Sequence, residues 1–314
     1  MRRALILGIG GQDGSYLADV LLGQGCEVHG LHRHSSVDNL RRIDRVRDRV
    51  TLHPGDVTDD SLGRVIRRVR PTEIYNEADQ DCPGWSFQDP LYSMEVTAKA
   101  VFNLLEAVRE IDPTIKVFQP VSSTMFGDSP PPQNEDTRIN PQSPYAVAKA
   151  ASWHTARYYR TVHGLRVWTG ILYNHDSPRR NRGYLLQDMA RACVRIARGT
   201  ETRLRVGNPR MIVDVGYARD YMEGVVKMMQ ATEPDDFVFS SGRPMSIGEI
   251  AERTLKLVGA EAEIVVDPSL MRPGPQPTLF GDNEKSRRTF GFDPWTSFDS
   301  LMQLILEACW KEER

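Results

Sequence analysis

The N-terminal stretch Ala4-Leu5-Ile6-Leu7-Gly8-Ile9-Gly10-Gly11-Gln12-Asp13-Gly14-Ser15 decides the fold. Four apolar residues predict a buried strand, glycines at every third position follow, and a helical pattern begins at Ser15. Glycine at such a turn lets the backbone approach a pyrophosphate, which then faces the first amides of the helix. This context predicts a dinucleotide site; the alternative is a tight turn in another α/β fold. The residues assigned to the dinucleotide are Gly8, Gly11, Gln12, Asp13 and Gly14.

Short β-branched runs alternate with helical stretches over the first half of the chain. This alternation is typical of βαβ units and predicts a doubly wound parallel sheet with helices on both faces. A polar, arginine-rich loop is expected at 174–183, and the helices beyond it predict a smaller C-terminal lobe. We therefore expect an α/β protein in two parts. The dinucleotide-binding domain takes residues 1–173 and 215–240, and the substrate lobe takes residues 174–214 and 241–314.

The composition is that of an ordinary globular protein. Of the 314 residues, 40% are hydrophobic and 26% are charged, which excludes a disordered chain. The net charge of −2 provides no strong field for nucleic acid or a membrane surface, and no apolar run reaches the length of about 18 residues that a membrane span needs. The four cysteines have neither metal-ligand nor disulfide spacing. We expect a reduced, cytoplasmic protein that binds no metal.

The end of the second predicted strand indicates which dinucleotide binds. Enzymes that prefer NAD usually place an acid there to hold the ribose 2′-hydroxyl. This chain reads Leu31-His32-Arg33-His34-Ser35-Ser36, in which Arg33 with Ser35 and Ser36 suits a 2′-phosphate instead. The sequence therefore favours NADP; the alternative is a solvated loop. Asp56 and Val57, after the third strand, are a weaker candidate for the adenine pocket.

A tyrosine and a lysine four residues apart form the central motif, Tyr145-Ala146-Val147-Ala148-Lys149. This spacing places both side chains on one helix face. The ammonium would lower the pKa of the phenol towards the range of an acid/base catalyst, and it could also hold the nicotinamide ribose. Ser122 and Ser123 end a predicted strand at the sheet edge where ligands bind. The alternatives are an ordinary surface pair and a serine-rich turn.

With these motifs the chain resembles the extended short-chain dehydrogenases/reductases of the nucleotide-sugar epimerase and dehydratase type, and GDP-mannose 4,6-dehydratases most of all. The resemblance covers nearly the whole chain. It implies an enzyme that uses NADP to oxidise C4 of a nucleotide-bound sugar and later returns the hydride. Its most specific segments are residues 11–17, 27–30, 35–36, 71–76, 143–145, 174–180, 272–273 and 281–282.

Carried over residue by residue, the resemblance assigns roles in both parts of the site. Ser122, Tyr145 and Lys149 would carry out the oxidation. The resemblance also implies a homo-oligomer, because the loop at 35–42 resembles one that reaches a neighbouring subunit. The apolar last helix, at 298–310, would add to that contact. The residues implied for substrate binding are Ser123, Asn174, Arg179 and Arg272.

Two departures from the family bear on the chemistry. The dehydratases carry a glutamate, the base at C5, two residues after the catalytic hydroxyl. Here that position is Thr124, which cannot easily abstract a carbon-bound proton. The fourth strand is followed by Glu77, Asp79 and Asp81, where the family has small or apolar residues. These acids are either a relocated acid/base or solvated loop residues.

The residues expected near the nucleotide base also differ, since the family's arginine and lysine are Val213 and Asp188 here. The base is therefore left open. Thr124 favours a 4-epimerase, which oxidises C4 and returns the hydride to the other face without a base at C5. A 4,6-dehydratase and a 4-keto reductase are the alternatives. A non-enzymatic NADP-sensing module is disfavoured because Tyr145 and Lys149 are both retained.

Overall fold

The computed structural model describes residues 2–271 and 277–312, and among these residues no helix combines the length and apolar character that crossing a bilayer requires. The strands are β1 (Arg3–Leu7), β2 (Glu27–His32), β3 (Val50–Pro54), β4 (Glu73–Asn76), β5 (Lys116–Ser122), β6 (Val167–Leu172), β7 (Asn174–Asp176), β8 (Arg203–Val206), β9 (Ile212–Tyr217), β10 (Asp236–Phe239), β11 (Pro244–Ser246) and β12 (Glu263–Val266). The α-helices are α1 (Gln12–Gly23), α2 (Ser61–Val69), α3 (Pro90–Ser93), α4 (Ala100–Ile111), α5 (Pro144–Val162), α6 (Leu185–Ala197), α7 (Ala218–Ala231), α8 (Ile247–Leu257), α9 (Glu284–Phe290) and α10 (Phe298–Glu312). Short 3-10 helices lie at Arg41–Arg49, Trp85–Phe87, Ser123–Phe126 and Pro268–Leu270, and a π-helical turn at Met94–Lys99 leads into α4.

Seven strands form one sheet in the order β3-β2-β1-β4-β5-β6-β10. Every neighbouring pair in it is parallel. The strand order reverses between β1 and β4, so the segments that follow these two strands leave in opposite directions and a crevice opens at their carboxyl ends. The predicted doubly wound parallel sheet is confirmed, and this crevice is where such a fold binds ligands.

The strands are buried on both faces, which explains why their sequences are nearly continuous apolar runs. In β1, Ala4 and Ile6 pack into the core beneath α1 and α7. Leu5 and Leu7 point the other way, into the core beneath α2, α4 and α5. Helices therefore cover both faces of the sheet, and only its two ends remain for loops. The loops at the carboxyl end carry the site.

The second lobe has a separate apolar core formed by α6, α8 and α10. A parallel pair, β8 with β12, and a three-stranded sheet in the order β11-β9-β7 complete it. The sequence predicts only a loop at 174–183, but β7 lies there and pairs with the distant β9. The last helix, expected to face another subunit, buries Leu301, Met302 and Ile305 against α6 and α8 of its own chain.

Gly14 and Gly23 lie in the same helix, α1, in opposite surroundings. A Cβ at Gly14 would come within 2.6 Å of the Gly8 carbonyl oxygen, and a Cβ at Gly23 would meet nothing within 4 Å. We expect Gly14→Ala to lower the free energy of unfolding by about 1–3 kcal/mol, because α1 must move away from β1. We expect Gly23→Ala to raise it by up to about 1 kcal/mol, because alanine is the better helix former.

Urea unfolding followed by circular dichroism measures both variants against the wild-type protein. The two substitutions add the same methyl group to the same helix, so they differ chiefly in the space that this group meets. Equal unfolding midpoints for the two variants would contradict the close packing of α1 on β1.

Candidate active site

The glycine turn between β1 and α1 forms one end of a large cleft. Gly8 has a φ of +75°, and a Cβ there would come within 2.5 Å of the Glu77 carbonyl oxygen at the end of β4. No side chain caps α1 at Gly11, so the first amides of the helix and its dipole face the cleft. The cleft has a volume of about 1650 Å³ and continues into the second lobe. The turn fits the pyrophosphate of a dinucleotide.

Asp13, in the first turn of α1, ties the glycine turn to the second lobe. Its Oδ2 lies 2.8 Å from Nε2 of His175 on β7. Burial alone would lower the pKa of His175, but Asp13 and the Tyr173 carbonyl raise it above its ordinary value. Burial would raise the pKa of Asp13, and His175 lowers it instead. The pair is therefore an ion pair that joins β7 to α1.

The end of β2 carries the side chains predicted to hold a 2′-phosphate. Arg33 lies at the rim of the cleft, where Nη1 donates to the Tyr92 hydroxyl at 2.7 Å. Ser35 and Ser36 are exposed beside it and do not line the cleft. Of these three predicted residues, Arg33 is the one that the fold places against the cofactor end of the cleft.

Arg42 is a cleft residue that the sequence motifs do not reveal. Its Nη1 donates to the Gly10 carbonyl at 3.0 Å, and its Nε donates to the Arg179 carbonyl at 2.6 Å. This position depends on contacts between distant segments, so the spacing of residues along the chain carries no signal for it. Asp56 and Val57 line the same end of the cleft, where the sequence predicts the adenine.

Ser122, Thr124, Tyr145 and Lys149 meet at the carboxyl end of β5. Ser122 ends the strand and accepts a hydrogen bond from Thr124 Oγ1 at 2.9 Å. Tyr145 and Lys149, one turn apart on α5, are 7% and 4% exposed. The Lys149 ammonium lies 5.7 Å from the centre of the Tyr145 ring and donates to the Pro120 carbonyl at 3.2 Å. The fold thus brings a hydroxyl, a phenol and an ammonium together in the cleft.

The Tyr145 phenol is less acidic than the sequence predicts. Burial raises its pKa to about 12, although Lys149 and hydrogen bonding with Ser122 act to lower it. Asp79 contributes to the rise. The expectation that Lys149 brings the pKa of this phenol into the working range is therefore wrong. Burial raises the pKa of Tyr145 by more than the Lys149 ammonium lowers it, because Asp79 offsets the charge of that ammonium.

Two of the acids after β4 are counter-ions. Asp79 forms a buried ion pair with Lys149 and accepts a hydrogen bond from Thr97. Asp81 is exposed and pairs with the Arg180 guanidinium at 3.1 Å. Both acids line the cleft. The interpretation of Asp79 as a solvated loop residue is wrong, because its carboxylate is enclosed between β4 and α5.

Glu77 has a different setting. It lines the cleft beside the glycine turn, and its Oε1 is buried without a hydrogen-bond partner. Burial, together with the nearby Asp13 carboxylate, raises the pKa of Glu77 well above its ordinary value. A carboxyl in this position favours its uncharged form.

The residues predicted to bind substrate are not all in the cleft. Asn174 lies exposed on β7 and lines the cleft. Arg179 also lines it, but its guanidinium is stacked 3.9 Å from the centre of the Tyr16 ring on α1. Ser123 is buried outside the lining of the cleft. Arg272 lies outside the described residues.

The far end of the cleft lies in the second lobe, where the nucleotide base is expected. Val213 is buried on β9, and Asp188 on α6 accepts a hydrogen bond from the Gly183 amide at 3.0 Å. Arg195 and Glu201 line the same end and pair at 2.6 Å. This end of the cleft therefore offers both positively and negatively charged side chains to a nucleotide base.

A doubly wound sheet with a glycine turn and a buried Tyr-Lys pair at its carboxyl edge defines an extended short-chain dehydrogenase/reductase of the nucleotide-sugar epimerase and dehydratase type. Solved structures share this fold. UDP-glucose 4-epimerase from Thermus thermophilus, solved with NAD, superposes with a TM-score of 0.86 at 23% identity over 98% of this chain and 99% of that chain. RMD from Pseudomonas aeruginosa, solved with NADPH, gives 0.83 at 22% identity over 99% and 100%.

The sequence comparisons define the family more narrowly. The family model for GDP-mannose 4,6 dehydratase matches residues 5–305. GDP-mannose 4,6 dehydratase 2 of Arabidopsis thaliana is 40% identical over 320 residues, which cover 97% of this chain and 86% of the relative. This protein therefore belongs to the GDP-mannose 4,6-dehydratase family, as its resemblance to that family predicts.

The ion pair of Asp13 and His175 makes a prediction about pH. A histidine whose pKa is raised on folding stabilises the protein fully below its unfolded pKa, near 6.5, and ceases to do so as the pH rises through its folded pKa. We expect His175→Gln to lower the free energy of unfolding by about 1–3 kcal/mol at about pH 5.5. The loss should shrink at alkaline pH.

Urea unfolding at a series of pH values measures this difference. His34→Gln, which changes an exposed histidine, is the control and should cost little at any pH. His175 also stacks on Tyr221 at 5.0 Å between ring centres. A loss that did not vary with pH would assign the stabilisation to that stacking and not to the ion pair.

Proposed function

We propose that this protein oxidises C4 of a nucleotide-bound hexose and completes a 4,6-dehydration. The observation that supports the oxidation is the meeting of Ser122, Tyr145 and Lys149 in one cleft with the glycine turn. The support for dehydration is the family, since its curated relatives in Arabidopsis thaliana and Vibrio cholerae are named GDP-mannose 4,6-dehydratases. The proposed substrate is therefore a nucleotide sugar, with GDP-mannose as the first compound to test.

Ser122, Tyr145 and Lys149 each have a separate role in the proposed oxidation. The Ser122 hydroxyl hydrogen-bonds the C4 hydroxyl of the sugar, and Tyr145 in its phenolate form takes the proton of that hydroxyl as the C4–H bond breaks. The Lys149 ammonium stabilises the phenolate during this transfer. A nicotinamide cofactor held with its pyrophosphate at the glycine turn would supply the hydride acceptor for this step and the hydride donor for the last one. The burial of Tyr145 limits the access of water to the transfer.

Dehydration also needs an acid/base at C5 and C6. The C5 proton is removed and the C6 hydroxyl leaves as water; hydride then enters at C6 and a proton returns to C5. A carboxyl with a raised pKa suits these opposite tasks. Asp79 and Asp81 are engaged by cations, whereas Glu77 keeps a buried oxygen without a partner. We assign this role to Glu77.

Epimerisation at C4 is the second candidate, and Thr124 favours it. The Thr124 hydroxyl donates to Ser122, where the dehydratases carry a carboxylate. A threonine hydroxyl does not abstract a carbon-bound proton at neutral pH. An epimerase needs only the oxidation at C4, a turn of the keto sugar and return of the hydride to the opposite face. The same three residues, Ser122, Tyr145 and Lys149, suffice for it.

Product analysis in deuterated water separates the two reactions. We expect GDP-mannose to give a 4-keto-6-deoxy product that is lighter by one water and carries solvent deuterium at C5. An epimerase gives a product of unchanged mass without label at C5. Mass spectrometry and proton NMR measure both properties. Formation of an epimer alone would refute the dehydration and leave the oxidation at C4 intact.

The same assay tests the assigned residues. Tyr145→Phe should lower kcat at least about 100-fold with substrate binding near the wild-type value, because the phenol transfers a proton. Tyr158→Phe, on the exposed side of the same helix, is the control and should keep full activity. Glu77→Gln should stop the loss of water and retain the oxidation, seen as reduced cofactor after substrate is added. An active Tyr145→Phe enzyme would rule out the proposed oxidation.

NADP is the proposed cofactor, because Arg33 stands at the cleft where an acid would hold the ribose hydroxyl of NAD. We expect Arg33→Asp to weaken NADP binding about 10- to 100-fold and to shift the preference towards NAD. Arg41→Asp makes the same charge change at an exposed position outside the cleft lining. Calorimetric titration measures both cofactors. Wild-type protein that bound NAD as tightly as NADP, or an equal loss in both variants, would contradict the assignment.

A homo-oligomer is part of the proposal. Large apolar side chains are exposed on the outer faces of α4 and α5, among them Phe102, Val147 and Val162. On the surface of a monomeric protein, large exposed apolar side chains are usually scattered. Neighbouring helices that both expose such side chains are suited to bind a second copy of the chain.

A further inference from the structure

A buried ion pair engages the ammonium on which the proposed oxidation depends. Asp79 contacts Lys149 through Oδ2, and its Oδ1 accepts hydrogen bonds from Thr97 Oγ1 and the Gln80 amide. The side chains of Asp79 and Lys149 are 12% and 5% exposed. Charges this deeply buried persist only when they are paired and hydrogen-bonded. Asp79 is therefore held in one position between the end of β4 and the π-helical turn that contains Thr97.

Lys149 has one donor left for a ligand. An ammonium carries three N–H groups, of which one goes to the Pro120 carbonyl at 3.2 Å and one to Asp79. Burial alone would lower the pKa of Lys149, but Asp79 raises it above its ordinary value. The ammonium stays charged, and Asp79 offsets much of the field that this charge would exert on its surroundings.

The Tyr145 phenol is influenced by both members of the pair. Burial raises its pKa, Lys149 lowers it, and Asp79 and Asp81 raise it again. Asp81 is paired with Arg180, and Glu77 favours its uncharged form, so neither opposes Lys149 as directly as Asp79 does. Asp13, its partner His175 and Asp176 are further titratable groups near this end of the cleft.

We propose that Asp79 is a positioning residue of this site: it holds the Lys149 ammonium against Pro120, offsets its charge, and so sets how readily Tyr145 gives up and takes a proton. This proposal rests on the proposed function, because it needs Tyr145 to accept the proton of the sugar hydroxyl. Asp79 itself transfers no proton, since both of its oxygens are engaged.

Asp79→Asn tests the proposal, since it removes the charge and keeps the volume. Lys149 then acts on Tyr145 without an opposing anion. We expect the rise of kcat/KM with pH to shift by about one pH unit to lower pH. Asp79→Ala should shift this rise in the same direction. The alanine variant replaces the asparagine variant in the test if the latter does not fold. Asp79→Glu, which restores the charge, should return the profile towards that of the wild-type protein.

Asp81→Asn is the matched control. It removes the same charge two residues away, from a carboxylate that pairs with Arg180 and not with Lys149. Its effect on the pH profile should be clearly smaller than that of Asp79→Asn. A purely structural role for Asp79 would instead lower the rate at every pH without shifting the profile, and thermal unfolding would show a matching loss of stability.

A second measurement does not depend on any enzymatic activity. The phenolate of Tyr145 is followed by ultraviolet difference absorbance between each protein and the same protein carrying Tyr145→Phe. In the Asp79→Asn and Asp79→Ala variants the Tyr145 component should appear at lower pH than in the wild-type protein. An unchanged titration in both variants would overturn the proposal, whatever the products are. If the titration shifts but no nucleotide sugar is converted, the proposed function fails and the assignment of Asp79 stands.

Discussion

The site depends on how closely the ends of two neighbouring strands approach each other. Gly8, at the end of β1, packs so near the peptide that joins Glu77 to Ala78 that no side-chain carbon fits between them. The strand order reverses at this pair, so the crevice of the sheet opens here. Since β4 also pairs in parallel with β5, the glycine turn, the acids after β4 and the hydroxyl of Ser122 all open into one cleft.

Buried charges join the parts of this cleft in pairs. The pair of Asp13 and His175 connects the glycine turn to the second lobe, and the pair of Asp79 and Lys149 connects the end of β4 to α5. Each charge would be costly alone in such surroundings, so each pair keeps two distant segments in one arrangement. Glu77 differs from these, because its carboxyl has an oxygen without a partner. The acid/base role proposed for Glu77 rests on this difference.

Family membership and the composition of the site favour different reactions. The family model spans residues 5–305 and is that of GDP-mannose 4,6 dehydratase, whereas Thr124, beside Ser122 at the end of β5, carries a hydroxyl and not a carboxylate. Three carboxyl groups follow the adjacent strand β4 instead, those of Glu77, Asp79 and Asp81, and all three line the same cleft. Of these, Asp79 forms the ion pair with Lys149.

The sequence by itself determined the parallel sheet, the glycine turn and the shared helix face of Tyr145 and Lys149, because each depends on periodicity or spacing within a few residues. Only the tertiary structure decided the pairing of β7 with β9, the reach of Arg42 to the glycine turn and the partner of Asp79. The high pKa of Tyr145 belongs to this second group. Spacing places a lysine next to the phenol, but the burial of both groups and the anion that offsets the lysine come from segments distant in sequence. A contact between distant segments leaves no trace in local spacing, so these properties could be known only from the folded chain.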